Sequence, residues 1–299
     1  MKVLLAGANS YIGTRLIPVL LEKGHEVVCL VRDKNHFDKS NNNSSDVNVI
    51  KGDLLRRQSI EPLPRDIDAA YYLVNTFTQT AGFAALGALS AQNFIEVIDQ
   101  TNCRQIITLS DINNIISADS IARLHVEDIL ESGNPALTIL NAGMTIGPGS
   151  MALEMFNALT AKAPIVITQN WIKSRIQPIA ADDVLGYLDA CLLNEKTFNQ
   201  KFDIGGPEVL SFKQMLLIYI AIYKDFKPSI VTLPYLTAKL SAHLLNILNP
   251  VSYPGAQSLV ESLKNDTICR ENSINDIIPR QCLTFKKALM PVSNIAVKV

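Results

Sequence analysis

The chain has 299 residues, 48% of them hydrophobic, and its 27 basic side chains are balanced by 28 acidic ones. This length and apolar content suit one large domain, or one domain with an added lobe, and the lack of a basic excess argues against nucleic acid or an acidic membrane surface as a partner. The five cysteines are scattered without metal-ligand spacing and no apolar run approaches the roughly 20 residues of a spanning helix, so we expect a cytoplasmic protein with reduced thiols, no metal and no transmembrane segment.

The first half of the chain alternates short apolar runs with amphipathic segments. An apolar run at Lys2–Ala6 suits a buried strand, and a glycine-bearing turn and a helical pattern ending at Gly24 follow it. Further strands are predicted at 27–31, 47–50, 69–74, 105–109 and 136–141, with helices at 83–101 and 121–131. This alternation indicates an α/β fold, a Rossmann-type doubly wound parallel sheet with helices on both faces.

After Gly147-Pro148-Gly149 the pattern changes. Helices are predicted at 151–163 and 181–193, strands at 165–168 and 201–204, and a mostly helical tail with proline breaks from 210. We therefore divide the chain into residues 1–206, a Rossmann-type domain with part of a ligand lobe inserted after 150, and residues 207–299, a small helical lobe. The lobe is expected over the carboxyl edge of the sheet, where open α/β sheets bind their ligands.

The turn after the first strand has the residues of a phosphate-binding loop. Gly7 permits a sharp turn, a small residue at Ser10 lets backbone amides approach a pyrophosphate, and Gly13 lets the helix pack closely on the sheet. The N-terminus of that helix then directs free N–H groups at the phosphates. We predict dinucleotide binding here; the alternative is a doubly wound domain with a degraded site. The predicted contacts are Gly7, Asn9, Ser10, Tyr11, Ile12 and Gly13.

The end of the second strand is where the ribose is recognised. A carboxylate there would bind the 2′-hydroxyl of NAD, whereas an arginine would accept the 2′-phosphate of NADP. The strand end is apolar and Arg32 follows it, and a guanidinium binds phosphate bidentately. We therefore predict NADP as the cofactor, with NAD as the alternative if Arg32 is an ordinary solvated charge.

Six motifs in order resemble the extended and atypical short-chain dehydrogenase/reductases. They are Ala6–Gly13, Gly24–Asp33, Gly52-Asp53-Leu54, Asn141–Gly149, Gln177-Pro178-Ile179 with Asp182-Asp183-Val184, and Phe202–Gly206. Within that family the sequence is most similar to members described as NAD(P)H-binding or NmrA-like, and the nucleotide-binding accessory subunit of respiratory complex I is a further relative. The resemblance implies that Asn141–Gly149 flanks the nicotinamide and that Asp53 touches adenine. It extends the expected cofactor contacts to Asp53, Leu54, Leu73, Val74 and Asn75.

The sequence departs from this family at the catalytic positions. Family enzymes use Tyr-x-x-x-Lys, and an alignment through Glu127 puts Arg123 at the lysine position and Asp119 at the tyrosine position. Arg123 can hold the cofactor ribose, but an ionised Asp119 carboxylate is a poor substitute for a phenol of pKa about 10. The family's serine falls at Ser110 or Asp111.

Other candidates lie near the expected ligand edge. Trp171, Arg175 and Gln177 are candidates to line a substrate pocket; the alternative is a loop that packs on the lobe. His36 and His125 are interpreted as bystanders, although His36 follows the predicted 2′-phosphate site. The leucine-rich segment 233–248 is assigned to the lobe core, with a substrate cap, a partner-docking helix or a membrane contact as alternatives.

Together these observations predict an atypical NADP-dependent oxidoreductase acting on a small apolar carbonyl or quinone-like substrate, with Arg123 and Asp119 at the catalytic positions. The alternative is a non-catalytic dinucleotide-binding protein that regulates or helps to assemble a partner complex, contacted through the C-terminal lobe. Nucleotide-sugar epimerisation is disfavoured because that chemistry needs the missing tyrosine.

Overall fold

The computed structural model describes residues 1–35, 37, 47–74, 83–112, 118–160, 165–168, 170–225, 229–232, 263 and 265–293. Of the predicted site residues, Asn75 lies outside these ranges, as do His36 and the segment 233–248. Asp119 and Trp171 are described through their backbone only.

The strands are, in chain order, β1 (Lys2–Ala6), β2 (Glu26–Val31), β3 (Val47–Lys51), β4 (Ala69–Tyr72), β5 (Gln105–Asp111), β6 (Ala136–Ala142), β7 (Thr145–Ile146), β8 (Ile165–Thr168), β9 (Arg175–Ile176), β10 (Ile179–Ala180), β11 (Gln200–Ile204), β12 (Leu210–Ser211) and β13 (Ser229–Thr232). The helices are α1 (Tyr11–Glu22), α2 (Phe83–Ile98), α3 (Ala118–Glu131), α4 (Met151–Thr160), α5 (Ala181–Cys191), α6 (Phe212–Tyr223), α7 (Ile274–Ile277) and α8 (Phe285–Ser293).

Seven strands form one parallel sheet in the order β11-β6-β5-β4-β1-β2-β3. The chain moves outward from β1 to β3, returns to β4 on the other side of β1, and moves outward again to β11. This reversal beside β1 is the switch point of a doubly wound sheet, so the predicted Rossmann-type fold class is confirmed.

Two apolar layers enclose the sheet. The side chains of Val3, Leu5, Val27 and Cys29 pack with α1 and α5 on one face, and their neighbours Leu4 and Val28 pack with α2 and α3 on the other. Alternating residues of one strand thus point to opposite faces of the sheet. Because both faces are covered, the strands are apolar throughout, as the continuous apolar runs in the sequence show.

A third apolar cluster forms the core of the lobe. It is built from α4, α6 and α8, and Phe156 lies at its centre with Phe212 and Tyr219 at ring-centroid distances of 5.1 and 5.5 Å. The helix predicted at 151–163 and the predicted helical tail supply this core, whereas the helix predicted at 181–193 packs on the sheet. The domain boundary at residue 206 falls between β11 and β12 and stays a prediction.

Element ends differ from the sequence prediction where local geometry intervenes. The strand predicted over 69–74 ends at Tyr72, because the Leu73 carbonyl faces the turn at Gly7. The helix predicted over 181–193 ends at Cys191, since Leu193 adopts the left-handed conformation with φ 51°. In the described part of the chain no helix is long and apolar enough to cross a membrane.

Candidate functional site

The turn after β1 has room for backbone and not for side chains. Gly7 has φ +90°, and a Cβ there would lie 2.3 Å from the Leu73 carbonyl oxygen. A Cβ on Gly13 would lie 2.2 Å from the Gly7 carbonyl oxygen. Both positions therefore require glycine, as the sequence predicted for a turn that brings strand, helix and ligand together.

Ser10 does more than keep the turn small. It is the N-cap of α1, where its Oγ accepts a hydrogen bond from the Gly13 N–H at 3.0 Å and its own N–H donates to the Gly7 carbonyl at 2.9 Å. The first intrahelical bond runs from Thr14 to Ser10. The amides of Tyr11 and Ile12 precede that bond, so they are the helix N-terminal donors available to an anion.

Tyr11 connects this turn to the loop at 147–149. The Arg15 guanidinium stacks 3.9 Å from the Tyr11 ring centroid and donates to the Pro148 carbonyl at 2.5 Å. The Tyr11 hydroxyl is buried beside Ser150 and would lie 2.5 Å from a Cβ on Gly147, so Gly147 leaves room for it. Burial raises the pKa of the Tyr11 phenol. The sharp glycine turn and the N-terminal amides of α1 fit a dinucleotide pyrophosphate.

The predicted adenosine end lies at the tips of β2 and β3. Arg32 is exposed directly after β2, and the Gly52 N–H donates to the Val31 carbonyl at 2.8 Å, so the two strand ends meet. Asp53 is partly buried and its Oδ1 accepts the Leu55 N–H at 3.0 Å. Leu54 is buried, with its carbonyl held by the Asn93 side chain at 2.7 Å. The loop that would receive adenine is therefore ordered by its own hydrogen bonds.

The two residues that the resemblance aligns with the family's catalytic positions, Asp119 and Arg123, both lie on α3. Arg123 on α3 bonds Asp111 at the end of β5, with Nη1 and Oδ2 2.9 Å apart. Asp111 is one of the two β5 residues at which the family's serine is expected, and the choice between Ser110 and Asp111 stays a prediction. The helix contains no tyrosine, and Asp119 lies one turn before Arg123. His125 is exposed on α3.

The candidate substrate residues are bound to the C-terminal part of the chain. Arg175 pairs with Asp266 at 2.8 Å. The Gln177 side chain donates to the Gly206 carbonyl at 2.8 Å and accepts the Cys269 N–H at 3.1 Å. These contacts favour the interpretation of a loop that packs on neighbouring segments, and a substrate role for Trp171, Arg175 and Gln177 stays a prediction.

A buried carboxylate that sequence reasoning missed lies at the same edge. Asp203 on β11 is 3% exposed and accepts hydrogen bonds from the Asn141 side chain at 2.8 Å and from the Arg270 Nε at 3.2 Å. Burial pushes the pKa of Asp203 upward, but the bonds from Arg270 and Asn141 outweigh it and hold the pKa below its ordinary value. An aspartate between Phe202 and Ile204 signals a buried partner; the sequence gives no sign that this partner is Arg270.

A second missed carboxylate is Asp183, in the first turn of α5. It is 3% exposed, and it accepts the Arg280 Nε at 3.0 Å and the Leu283 N–H at 2.8 Å. Arg270 and Arg280 both belong to residues 265–283, which we call the C-terminal strap. Within the described residues no three His, Cys, Asp or Glu side chains are placed to hold a metal ion.

Comparison with known proteins agrees with this geometry. Residues 7–134 match the family model described as NAD(P)H-binding. Residues 7–134 thus match an NAD(P)H-binding domain on a Rossmann-type sheet, and the NAD(P)H-binding part of the resemblance drawn from the sequence is confirmed.

A curated relative is the 40 kDa subunit of the mitochondrial NADH-ubiquinone oxidoreductase of Neurospora crassa, 24% identical over 210 residues. The match covers 68% of this chain but only 55% of the length of that relative.

Solved structures share the fold over nearly the whole chain. The Citrobacter sp. triphenylmethane reductase complexed with NADP(H) has a TM-score of 0.76 at 13% identity, covering 97% of this chain and 99% of its own. A nucleoside-diphosphate-sugar epimerase of Staphylococcus aureus has a TM-score of 0.72 at 15% identity, covering 96% of this chain and 98% of its own. At these identities the likeness concerns the fold.

Proposed function

We propose that the chain binds NADP(H) and reduces a small apolar substrate without the phenol of the short-chain dehydrogenases. The observation that carries the proposal is the glycine cradle at Gly7 and Gly13, which closes against Leu73 and leaves helix amides directed at the carboxyl edge. Bound there, a reduced nicotinamide cofactor supplies hydride.

The residues at the strand ends support NADP in particular. Arg32 is exposed directly after β2, with no carboxylate at the strand end itself, and a guanidinium in that place suits a 2′-phosphate. The Citrobacter reductase, which has the same fold, is a protein solved with NADP(H).

The missing phenol limits the chemistry. Asp119 and Arg123 stand where the family has tyrosine and lysine, and Arg123 is oriented by Asp111 at 2.9 Å. A guanidinium held in this way can bind a ribose hydroxyl or a developing negative charge, but it does not donate a proton near neutral pH. We therefore infer that hydride transfer to the substrate forms no alkoxide that the protein must protonate. Electron-poor rings, quinones and conjugated cations are substrates of this kind.

A non-catalytic role is the second proposal. It is favoured by the ion-paired state of Arg123 and by the relative in Neurospora crassa, whose name places it in a multisubunit oxidoreductase. In this case the chain would bind NADP(H) as a structural or regulatory ligand of a partner complex. The cytoplasmic location expected from the cysteines stays a prediction.

The deciding experiment combines binding and turnover. Purified protein is titrated with NADPH and NADH by isothermal calorimetry, and NADPH oxidation is then followed at saturating cofactor with quinones, enones, small carbonyls and a triphenylmethane dye. Turnover of one class supports the reductase. Tight NADPH binding with no turnover across the panel selects the non-catalytic protein, and failure to bind either cofactor contradicts both.

A further inference from the structure

Residues 266–271 of the C-terminal strap join segments of the carboxyl edge that are far apart in sequence. The Gln177 N–H donates to the Thr267 carbonyl at 2.8 Å, and the Thr267 N–H donates to the Arg175 carbonyl at 2.8 Å, so this stretch lies against β9. Three residues later the strap reaches β11 through Arg270 and Asp203. The strap is thus fixed to two separate strands at once.

Asp203 is the centre of the second attachment. Its carboxylate accepts the backbone N–H of Arg270 at 2.9 Å as well as that residue's side chain, and the Asp203 N–H donates to Glu271 Oε1 at 2.6 Å. On its other side it holds the Asn141 side chain. A buried carboxylate deprived of its donors is costly, so the positions of these groups are mutually fixed. Arg270 therefore acts on the end of β6 through Asp203.

The end of β6 belongs to the second nucleotide half of the sheet. Strand order divides the sheet beside β1: Arg32 and Asp53 follow β2 and β3 on one side, and β4, β5, β6 and β11 lie on the other. In a doubly wound fold each half receives one nucleotide of a dinucleotide. If adenosine lies on the side of Arg32, the nicotinamide nucleoside lies on the side of β6.

The residues that follow β6 are closely packed against neighbouring backbone. A Cβ on Gly143 would lie 1.9 Å from the Gln177 carbonyl oxygen, and a Cβ on Gly205 would lie 2.7 Å from both the Gln177 side chain and Cys269 Sγ. The Gly143 N–H donates to the Ile204 carbonyl at 2.9 Å. A shift of the strap at Arg270 is therefore transmitted directly to residues 141–144.

We propose that Arg270 is a positioning residue for the nicotinamide half of the cofactor, acting through Asp203 and Asn141 on the backbone at residues 141–144. The inference rests on the proposed dinucleotide binding. It assigns to the C-terminal strap a part in cofactor geometry that the family resemblance, which ends at Gly206, does not contain.

The strap provides its own control. Arg280 makes the same kind of bond to a buried carboxylate, Asp183, but this carboxylate belongs to α5 and its bonds do not reach Asn141 or Asp203 in the described residues. Arg270→Gln and Arg280→Gln therefore remove matched ion pairs from one strap. Only the first is expected to disturb the end of β6.

The test compares a whole cofactor with its adenosine half. Calorimetric affinities are measured for NADPH and for 2′,5′-ADP with wild type, Arg270→Gln and Arg280→Gln. Arg270→Gln is expected to weaken NADPH by about tenfold, which corresponds to the loss of one well-placed set of contacts, and to change 2′,5′-ADP by less than about twofold. Arg280→Gln should leave the ratio of the two affinities at its wild-type value, although it lowers the melting temperature.

A general loss of stability would weaken both ligands together, so an unchanged ratio in Arg270→Gln contradicts the proposal. A wild type that binds neither ligand instead contradicts the proposed function. If Arg270→Gln does not fold, Arg270→Lys is compared with Arg280→Lys by amide hydrogen exchange of the ligand-free protein. Faster exchange over residues 141–146 in Arg270→Lys alone supports the proposal, and equal exchange in the two variants overturns it.

Discussion

Arg123 and Asp111 form an ion pair of 2.9 Å between α3 and the end of β5. The resemblance aligns Arg123 with the family's lysine, and Asp111 is one of the two residues expected at the family's serine. The Asp111 side chain is 62% exposed whereas that of Arg123 is 16% exposed, so the carboxylate lies on the solvent side and the guanidinium on the protein side. Asp111 orients Arg123, so the position aligned with the family's lysine keeps a positive charge, whereas the family's phenol has no counterpart on α3.

Replacing Arg123 by alanine should affect function more than stability. We expect turnover with NADPH, or NADPH affinity if there is no turnover, to fall by about tenfold, since a fixed cation is lost from the cofactor edge. The free energy of unfolding should change by less than about 1 kcal/mol, because the partner is largely exposed. Lys201→Ala removes another ion pair of α3, that with Glu127, and serves as the control. Equal effects of the two variants would show that Arg123 has no special part in the site.

Gly7→Ala should damage both folding and binding. The alanine Cβ would meet the Leu73 carbonyl at 2.3 Å in a backbone conformation with φ +90°, so we expect a loss of roughly 2–4 kcal/mol in the free energy of unfolding and loss of NADPH binding. Gly24→Ala is the matched control: φ is +75°, but no atom lies within 4 Å of the new Cβ. It should cost about 1 kcal/mol and leave NADPH affinity unchanged. Urea unfolding and calorimetry separate the two effects.

Arg32→Ala tests the cofactor preference. Arg32 is exposed at the end of β2, so its removal should leave the melting temperature within about 2 °C of wild type, as is usual for surface substitutions. NADPH should bind about tenfold or more weakly and NADH should bind as before, because only the former has a 2′-phosphate. Lys34→Ala, which removes an exposed cation paired with Glu61, should change neither affinity. Preference for NADPH that survives Arg32→Ala would assign the 2′-phosphate to another residue.

Asp203 should make the free energy of unfolding depend on pH in the acidic range. The pKa of Asp203 in the folded protein lies below the ordinary aspartate value. The bonds of the carboxylate to Arg270 and Asn141 therefore stabilise the fold fully at pH values above that ordinary pKa. This stabilisation disappears as the pH falls through the lower, folded-state pKa. Asp203→Asn should therefore lower the free energy of unfolding by roughly 2–4 kcal/mol at pH 7, and by less at pH 3, which lies below the ordinary pKa of an aspartate. Urea denaturation at the two pH values measures this difference. A deficit that is equal at pH 7 and pH 3 would show that packing, and not charge, is responsible.

The fold could be predicted because its signals are local. A run such as Lys2–Ala6 is apolar on both sides of the strand, the period changes to that of a helix after Gly13, and the order of these segments prescribes a parallel sheet. Helix and strand ends were less predictable where one residue decides them, as Leu193 does by its positive φ at the end of α5.

The glycine turn of the candidate site could be predicted from the sequence, whereas the ion pairs of Arg270 and Arg280 could not. The glycines of the phosphate turn act within seven residues of each other, so their spacing carries the information. The partners of Asp203 and Asp183 lie 67 and 97 residues away. A single sequence does not specify which of its arginines pairs with a given aspartate so far away along the chain. Gln105 is similar: its buried amide joins Thr138 to the Cys191 carbonyl, contacts that only the folded chain brings together.

The C-terminal strap is translated after the buried aspartates that it pairs with. When synthesis has reached residue 206, all seven strands of the central sheet are present, yet the buried carboxylates of Asp183 and Asp203 have no arginine partner, since Arg270 and Arg280 are still to be translated. At ordinary elongation rates the interval to the end of the strap is on the order of 4 to 15 s. During that interval the two carboxylates lack their arginine partners, and their burial has to wait until the strap has been translated.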